Sequence, residues 1–294
     1  MITSAVDHSG RAGQRGRVDV VTIVQKTTLY VFISFGALLA LFPFYWMVVV
    51  ATLPASEVFS FPPPILPGNL LIHNIRSLFQ AIPYGRNYLN SLFLATSVTV
   101  LMLFFDSLAG FAFAKYEFPA RETLFAFLLS TMMIPYTVTL IPWFIEMKYF
   151  GWINSYAALI VPSAVDAFGI FWMCQYIASA VPSELLDAAR IDGCSEFRIY
   201  RQVVLNLASP ALAALGILTF LGSWNSLVGP LIIIRDQAKF PLTVALNTLV
   251  ALRLTDYGAL MAGTVGAVVP ILLVYLAGAR RFIAGIAAGS IHGM

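Results

Sequence analysis

The sequence predicts an all-α membrane protein with six transmembrane helices and both termini on the cytoplasmic side. Hydrophobic residues make up 60% of the 294 positions and charged residues only 11%, whereas a soluble domain carries roughly 25% charge. Six apolar runs, at about 27–50, 88–113, 122–145, 153–177, 208–234 and 258–283, reach the roughly 20 helical residues needed to cross about 30 Å of hydrocarbon. The period-two alternation of an outer-membrane barrel is missing from them.

Residues 1–26 are polar and read as a cytoplasmic tail; residues 27–294 form one membrane domain. Arg11, Arg15, Arg17 and Lys26 precede the first run as in a secretory signal. That run is longer than a cleaved h-region and no small-x-small site follows it, so an uncleaved first helix is expected. This orientation places eleven basic residues inside, the four just named with Lys115, Arg121, Arg190, Arg198, Arg201, Arg280 and Arg281. Six fall outside: Arg76, Arg86, Lys148, Arg235, Lys239 and Arg253. The bias follows the positive-inside rule. It also accounts for the net charge of +3 without a basic stripe for nucleic acid.

The link at 51–87 holds Pro62-Pro63-Pro64 and Pro67-Gly68, which favour extended and turn structure over helix; it is expected to fold over the outer face. The links at Lys115–Arg121 and Lys148–Trp152 are short and force antiparallel neighbours. The segment 181–207 is too polar to span and too regular for a linker. Ser183 is placed to cap a helix with Glu184 and Asp187 in its first turn, where the helix dipole favours anions. Gly193 suits the left-handed position that ends it. At 100° per residue Leu185, Ala188 and Ala189 share one arc, Glu184 and Asp187 flank it, and Arg190 lies opposite. A second helix is expected after Ser195, with Phe197, Ile199, Tyr200, Val203 and Val204 on its apolar face and Arg198, Arg201 and Gln202 on the other.

Several chemistries lack residues to support them. No Gly-x-x-x-x-Gly-Lys-Ser/Thr occurs, so the chain carries no P-loop. His8, His73 and His292 are scattered and form neither a metal cluster nor a triad. Cys174 and Cys194 sit in a span and on the cytoplasmic side respectively, which excludes a disulfide framework.

The pattern Glu184-x-x-Asp187-Ala188-Ala189-x-x-Asp192-Gly193, followed by Val204-Leu205 and Ser209-Pro210, resembles the cytoplasmic EAA loop of ABC-importer permeases. Across nearly its whole length the chain is similar to the carbohydrate-uptake branch, the MalG-like type. Leu41-Phe-Pro-Phe-Tyr-Trp46, Leu108-Ala-Gly-Phe-Ala-Phe-Ala-Lys115, Ile134-Pro135, Leu140-Ile-Pro142, Ala167-Phe-Gly-Ile-Phe171, Trp224-Asn225, Pro230-Leu231 and Pro241-Leu-Thr-Val244 add to the likeness. Asp187 stands where the family usually has glutamate, and Asn206 where it usually has proline.

The resemblance implies a multi-pass permease of a bacterial or archaeal cell membrane. It pairs with a second, MalF-like permease, two ATPase subunits that bind ATP and Mg, and an extracytoplasmic solute-binding protein that delivers a carbohydrate. The chain itself holds no cofactor and is no enzyme. Glu184, Asp187, Ala188, Ala189, Asp192 and Gly193 would form the coupling helix that docks on the ATPase, and the segment at about 235–257 would face the binding protein.

Asp166, near the middle of the fourth run, is a candidate sugar-hydroxyl acceptor, since an ionisable group at membrane depth faces the bundle or a wet cavity; a helix–helix hydrogen bond is the alternative. Trp224 and Asn225, among Gly222, Ser223, Ser226 and Gly229, either join the substrate path or anchor a helix interface. Asp106, near the cytoplasmic Lys115, is expected to be interfacial or structural. A carrier driven by a proton or sodium gradient, with Asp106 or Asp166 as its ion site, is the competing class; it requires inverted repeats and matched broken helices. A membrane scaffold without solute flux is a third.

Overall fold

The computed structural model describes residues 20–251 and 256–291, with side chains described for 24–250 and 256–278. Helices account for every regular element, and no strand occurs among the described residues. Arg11, Arg15, Arg17 and Arg253, and the side chains of Arg280 and Arg281, lie outside that description.

Helix α1 (Val20–Ala51) is continuous through Pro43. The link after it does not stay irregular, as the prolines suggested. Its second half forms α2 (Leu71–Ala81), which buries Asn74 and Leu78. Asn74 Nδ2 donates to the Ala51 and Leu53 carbonyls, each at 2.9 Å. It thereby supplies partners for carbonyls at the α1 C-terminus that have none within the helix. Helix α3 (Tyr84–Lys115) runs the full depth of the bundle and packs along its length on the fourth and fifth spans.

The third run is not one straight span. It divides into α4 (Arg121–Thr131) and α5 (Tyr136–Tyr149), which bend by 99° at the break. Pro135 has no N–H to donate and disfavours helix in Ile134 before it, so the ladder stops there. Five helical stretches are long and apolar enough to cross a membrane, or six if this bent pair counts as one.

The fourth run is interrupted too. A single turn, α6 (Ala157–Ile160), passes through a 3₁₀ turn at Pro162–Ala164 into extended backbone at Val165 and Asp166 before α7 (Ala167–Ala180) begins. The polar segment then forms α8 (Ser183–Ile191) and α9 (Glu196–Ile199), a π-helical turn at Tyr200–Val204, and α10 (Leu205–Leu207). The fifth run splits at Asn225 into α11 (Ser209–Trp224) and α12 (Val228–Ile233). The segment from 235 onward contains α13 (Leu242–Ala251), with Leu242, Val244 and Ala245 buried. The last span is α14 (Tyr257–Ile291).

Hydrogen bonds define two ends of this bundle. At one, Asn87 reaches the Gln237 and Phe240 carbonyls, Tyr156 the Lys239 carbonyl and Ser77 the Asp256 carboxylate. At the other, Lys115 reaches the Ala178 carbonyl and Tyr116 the Glu196 carboxylate. The proline-rich connection and the polar segment therefore occupy opposite ends.

Candidate functional site

At the polar end, α8 stands out from the bundle as a knob. Its first helical residue is Ser183 and its cap position is Pro182, with no side-chain capping bond. The chain thus enters the helix one residue earlier than the sequence suggested, and a proline there loses nothing because the first-turn N–H groups are unpaired in any case. The C-terminus follows the sequence closely. Gly193 has φ +78°, its N–H donates to the Arg190 carbonyl, and the Cys194 N–H donates to the Ala189 carbonyl, each at 3.0 Å. This paired closure is a Schellman motif.

Burial divides the helix differently from the expected arc. Leu186 is 1% exposed and anchors the knob, and Ala189 packs half-buried on the same core. Glu184, Leu185, Asp187, Ala188, Ile191 and Asp192 face away. Ile191, 86% exposed, belongs to the outward arc; it follows Ala188 by three residues on the helical period, although the sequence reading left it out. In the second helix Ile199, Tyr200 and Val204 are buried as expected, whereas Phe197 is exposed.

Charged side chains link the knob to its neighbours. Arg190 is not left opposite with no partner: its Nη1 donates to Asp187 Oδ1 and its Nε to Glu196 Oε1, both at 2.8 Å. Tyr116 also donates to Glu196, and the guanidinium lies 5.9 Å from the Tyr116 ring centroid. The hydrogen bond from Arg190, then that from Tyr116, holds the Glu196 carboxyl below its ordinary value. Burial, then the bond to Glu196, pushes the Tyr116 phenol up. The cluster ties α8, α9 and the end of α3 together.

A cavity of about 630 Å³ lies deeper in the bundle. The three interrupted spans meet at it: Tyr136 beside the first break, Asp166 at the second, and Ser226 and Gly229 flanking the third all line its wall. Non-helical backbone at membrane depth is tolerated where it lines such a space or is packed in protein. Ser91, Thr139, Ser163, Thr219 and Ser223 add hydroxyls, and Trp143 and Phe168 add aromatic faces. Asp166 is the one charged residue in this lining. Its Oδ2 accepts the Gly169 N–H at 3.2 Å, capping α7, and its own N–H donates to Asp106 Oδ1 at 3.1 Å. Asp166 thus lines the cavity, and its backbone N–H, rather than its carboxylate, ties the start of α7 to α3.

Trp224 and Asn225 take other positions. The Trp224 indole is 2% exposed, donates to the Ala267 carbonyl at 3.1 Å and stacks on Phe220, so it binds α11 to α14. Asn225 donates to the Leu221 carbonyl at the end of α11. Their small neighbours Gly222, Ser223, Ser226 and Gly229 reach the cavity instead. Asp106, expected near the interface, is fully buried. Among the described residues no group of His, Cys, Asp and Glu is arranged to hold a metal ion.

Residues 106–285 match the family model described as the binding-protein-dependent transport system inner membrane component. Similar proteins include the arabinooligosaccharides transport system permease AraQ of Halalkalibacterium halodurans, 35% identical over 88% of this chain and 94% of the relative. The lactose transport system permease LacG of Rhizobium radiobacter is 32% identical over 87% and 93%. The sn-glycerol-3-phosphate transport system permease UgpE of Salmonella typhi is 32% identical over 90% and 96%. In fold, the chain is similar to a chain of a bacterial ABC transporter involved in the import of the acidic polysaccharide alginate, with a TM-score of 0.77, 22% identity, and coverage of 90% of this chain and 98% of that one. Interrupted spans alone would also suit an ion-gradient carrier, but neither the family match nor these relatives support that alternative. The chain belongs to the family of inner membrane components of binding-protein-dependent transport systems.

Proposed function

We propose that this chain is a permease subunit of an ATP-driven carbohydrate importer, forming half of the translocation path and taking its energy from separate ATPase subunits. The observation that carries the reading is the Schellman-closed knob, whose outward arc is Glu184, Leu185, Asp187, Ala188, Ile191 and Asp192. Small and acidic groups at an exposed helix end, held by a buried leucine and an ion-pair cluster, suit docking into a groove on a soluble protein. Residues 181–207 are the coupling segment and face the cytoplasm, with both termini on that side; residues 1–26 are the tail and 27–294 the permease domain. The segment around 235–257 faces the binding protein outside.

The 630 Å³ cavity is the chain's share of the path and is completed by a second, non-identical permease. Its hydroxyls, aromatic faces and Asp166 carboxylate are the groups that recognise a sugar, by hydrogen bonding and by stacking. ATP and Mg act in the partner ATPase pair. Closure of that pair on ATP draws the coupling helices together and opens the cavity outward to the docked binding protein, and hydrolysis resets it inward. The host membrane is the cytoplasmic membrane of a bacterium or archaeon.

The test is uptake by the complete transporter in proteoliposomes loaded with ATP and Mg, with ionophores collapsing the proton and sodium gradients. Uptake of the sugar held by the cognate binding protein is expected to continue. Loss of uptake with ATP intact would overturn the proposal in favour of a gradient-driven carrier.

A further inference from the structure

Adjacent buried polar side chains on α3 face the two regions described above. Ser107, 1% exposed, donates to the Leu103 carbonyl at 2.5 Å. It also shares a hydrogen bond with the Tyr200 hydroxyl at 2.7 Å, in which either oxygen can be the donor. Tyr200 is 2% exposed and begins the π-helical turn of the polar segment, and its hydroxyl also lies 3.4 Å from the Phe104 carbonyl. Wide turns of this kind inside helices are frequent at functional sites. One residue before Ser107, Asp106 is fully buried and accepts the Asp166 N–H, while its Oδ2 has no hydrogen-bond partner. A carboxylate at membrane depth is costly. This one lies at the N-terminus of α7, where the helix dipole favours an anion.

The spacing between α3 and α7 makes these contacts stiff. A Cβ placed on Gly110 would lie 2.7 Å from the Met173 Cβ and 2.9 Å from the Cys174 nitrogen, and one on Gly169 would collide with the Asp106 carboxylate. Glycines at both points let the backbones approach closely. Packed helices of this kind shift between discrete arrangements rather than deform continuously.

We infer that Tyr200, Ser107 and Asp106 form a relay across α3, through which displacement of the coupling segment moves the cavity wall at Asp166. Tyr200 grips α3 at Ser107, α3 and α7 travel as one body, and Asp106 holds the extended break where Asp166 meets the cavity. The inference rests on the proposed ATPase docking of residues 181–207. These are positioning residues, and none of them need touch the substrate.

The experiment uses the complete transporter in proteoliposomes, with Cys174 and Cys194 replaced by alanine and a reporter, Ser163→Cys, in the cavity wall. The rate of maleimide labelling is measured with and without ATP trapped by vanadate. In the parent, trapping is expected to change the rate. Tyr200→Phe leaves Ser107 bonded to Leu103, so it removes the grip without stranding the serine hydroxyl. Ser107→Ala removes the same contact from the other side, so agreement between the two separates the lost contact from misfolding. Each is expected to bind the ATPase and hydrolyse ATP, yet to reduce the trapping-induced change by roughly 2- to 30-fold, the range for residues that carry coupling between sites. The double variant should lose no more than either single. Parent-like switching in both variants, or additive losses, overturns the relay alone. A parent that neither binds the ATPase nor changes its labelling overturns the docking reading and the relay with it.

Discussion

Replacing Gly193 isolates one backbone angle, because a Cβ at this position meets nothing within 4 Å and the whole cost comes from φ +78°. An L-residue in the left-handed region costs roughly 1–2 kcal/mol, whereas asparagine enters it more readily than other non-glycine residues. The Schellman closure depends on that angle, since the Gly193 and Cys194 N–H groups both fold back onto α8. If the ATPase recognises the knob in this form, Gly193→Ala must pay the strain on docking or dock in a distorted shape. Either way, affinity for the ATPase falls by roughly 5- to 30-fold, the ratio that corresponds to one or two kcal/mol. Gly193→Val is expected to fall further, and Gly193→Asn to stay near the parent. The assay titrates purified ATPase subunit onto the membrane-embedded permease pair and follows bound ATPase. Equal affinities for glycine, alanine and valine would refute the reasoning, as would an asparagine variant as weak as the valine one.

Four further outcomes are expected. Ala188→Trp, on the exposed outer arc, should insert normally yet fail to copurify ATPase subunits; retention of the ATPase would show that this arc is not the docking face. A carboxyl held below its ordinary value contributes stability that is present above the ordinary glutamate pKa of about 4.3 and lost as pH falls through the lowered value. Thermal melting below about pH 4.3 should therefore depend on pH through Glu196, and Glu196→Gln should flatten that component; the effect is small because the pair is solvent-exposed, and an unchanged profile counts against the cluster. Asp106→Asn keeps an acceptor for the Asp166 N–H and puts a neutral group in place of the buried carboxyl, so melting should hold or rise, whereas Asp106→Leu leaves that N–H unpaired at a cost of about 1–3 kcal/mol; the reverse order would refute the geometry. Trp224→Phe deletes the bond to Ala267 and should cost about 1 kcal/mol of stability with little change in uptake, so a large loss of uptake at unchanged stability would place the indole in the substrate path.

How far the site was legible depends on the range of the interaction that makes it. The knob's end was readable because a glycine after a short amphipathic run has a local backbone reason to be there. Which residue faces inward was not readable: Leu185 and Leu186 are chemically alike, and only the core beneath α8 decides that Leu186 is the buried one. Arg190 has Asp187 one turn earlier on the same helix, but its second partner Glu196 lies beyond the turn, and Tyr116 lies at the end of α3. Asp166 was identifiable as a costly residue at depth, but its contact with Asp106, sixty positions earlier, has no sequence signature.

By itself the sequence determined that this chain lives in a bilayer as helices, that a polar segment interrupts its spans, and where that segment ends, because hydropathy, length and a glycine's freedom are properties of neighbouring residues. The tertiary structure decided that three apolar runs are broken and that their breaks converge on one cavity. It also turned the region after 235 into a packed helix and Trp224 into an anchor. A proline or asparagine in an apolar run permits an interruption. Whether the freed backbone is tolerated there depends on partners from distant helices, and those partners exist only once the bundle has assembled.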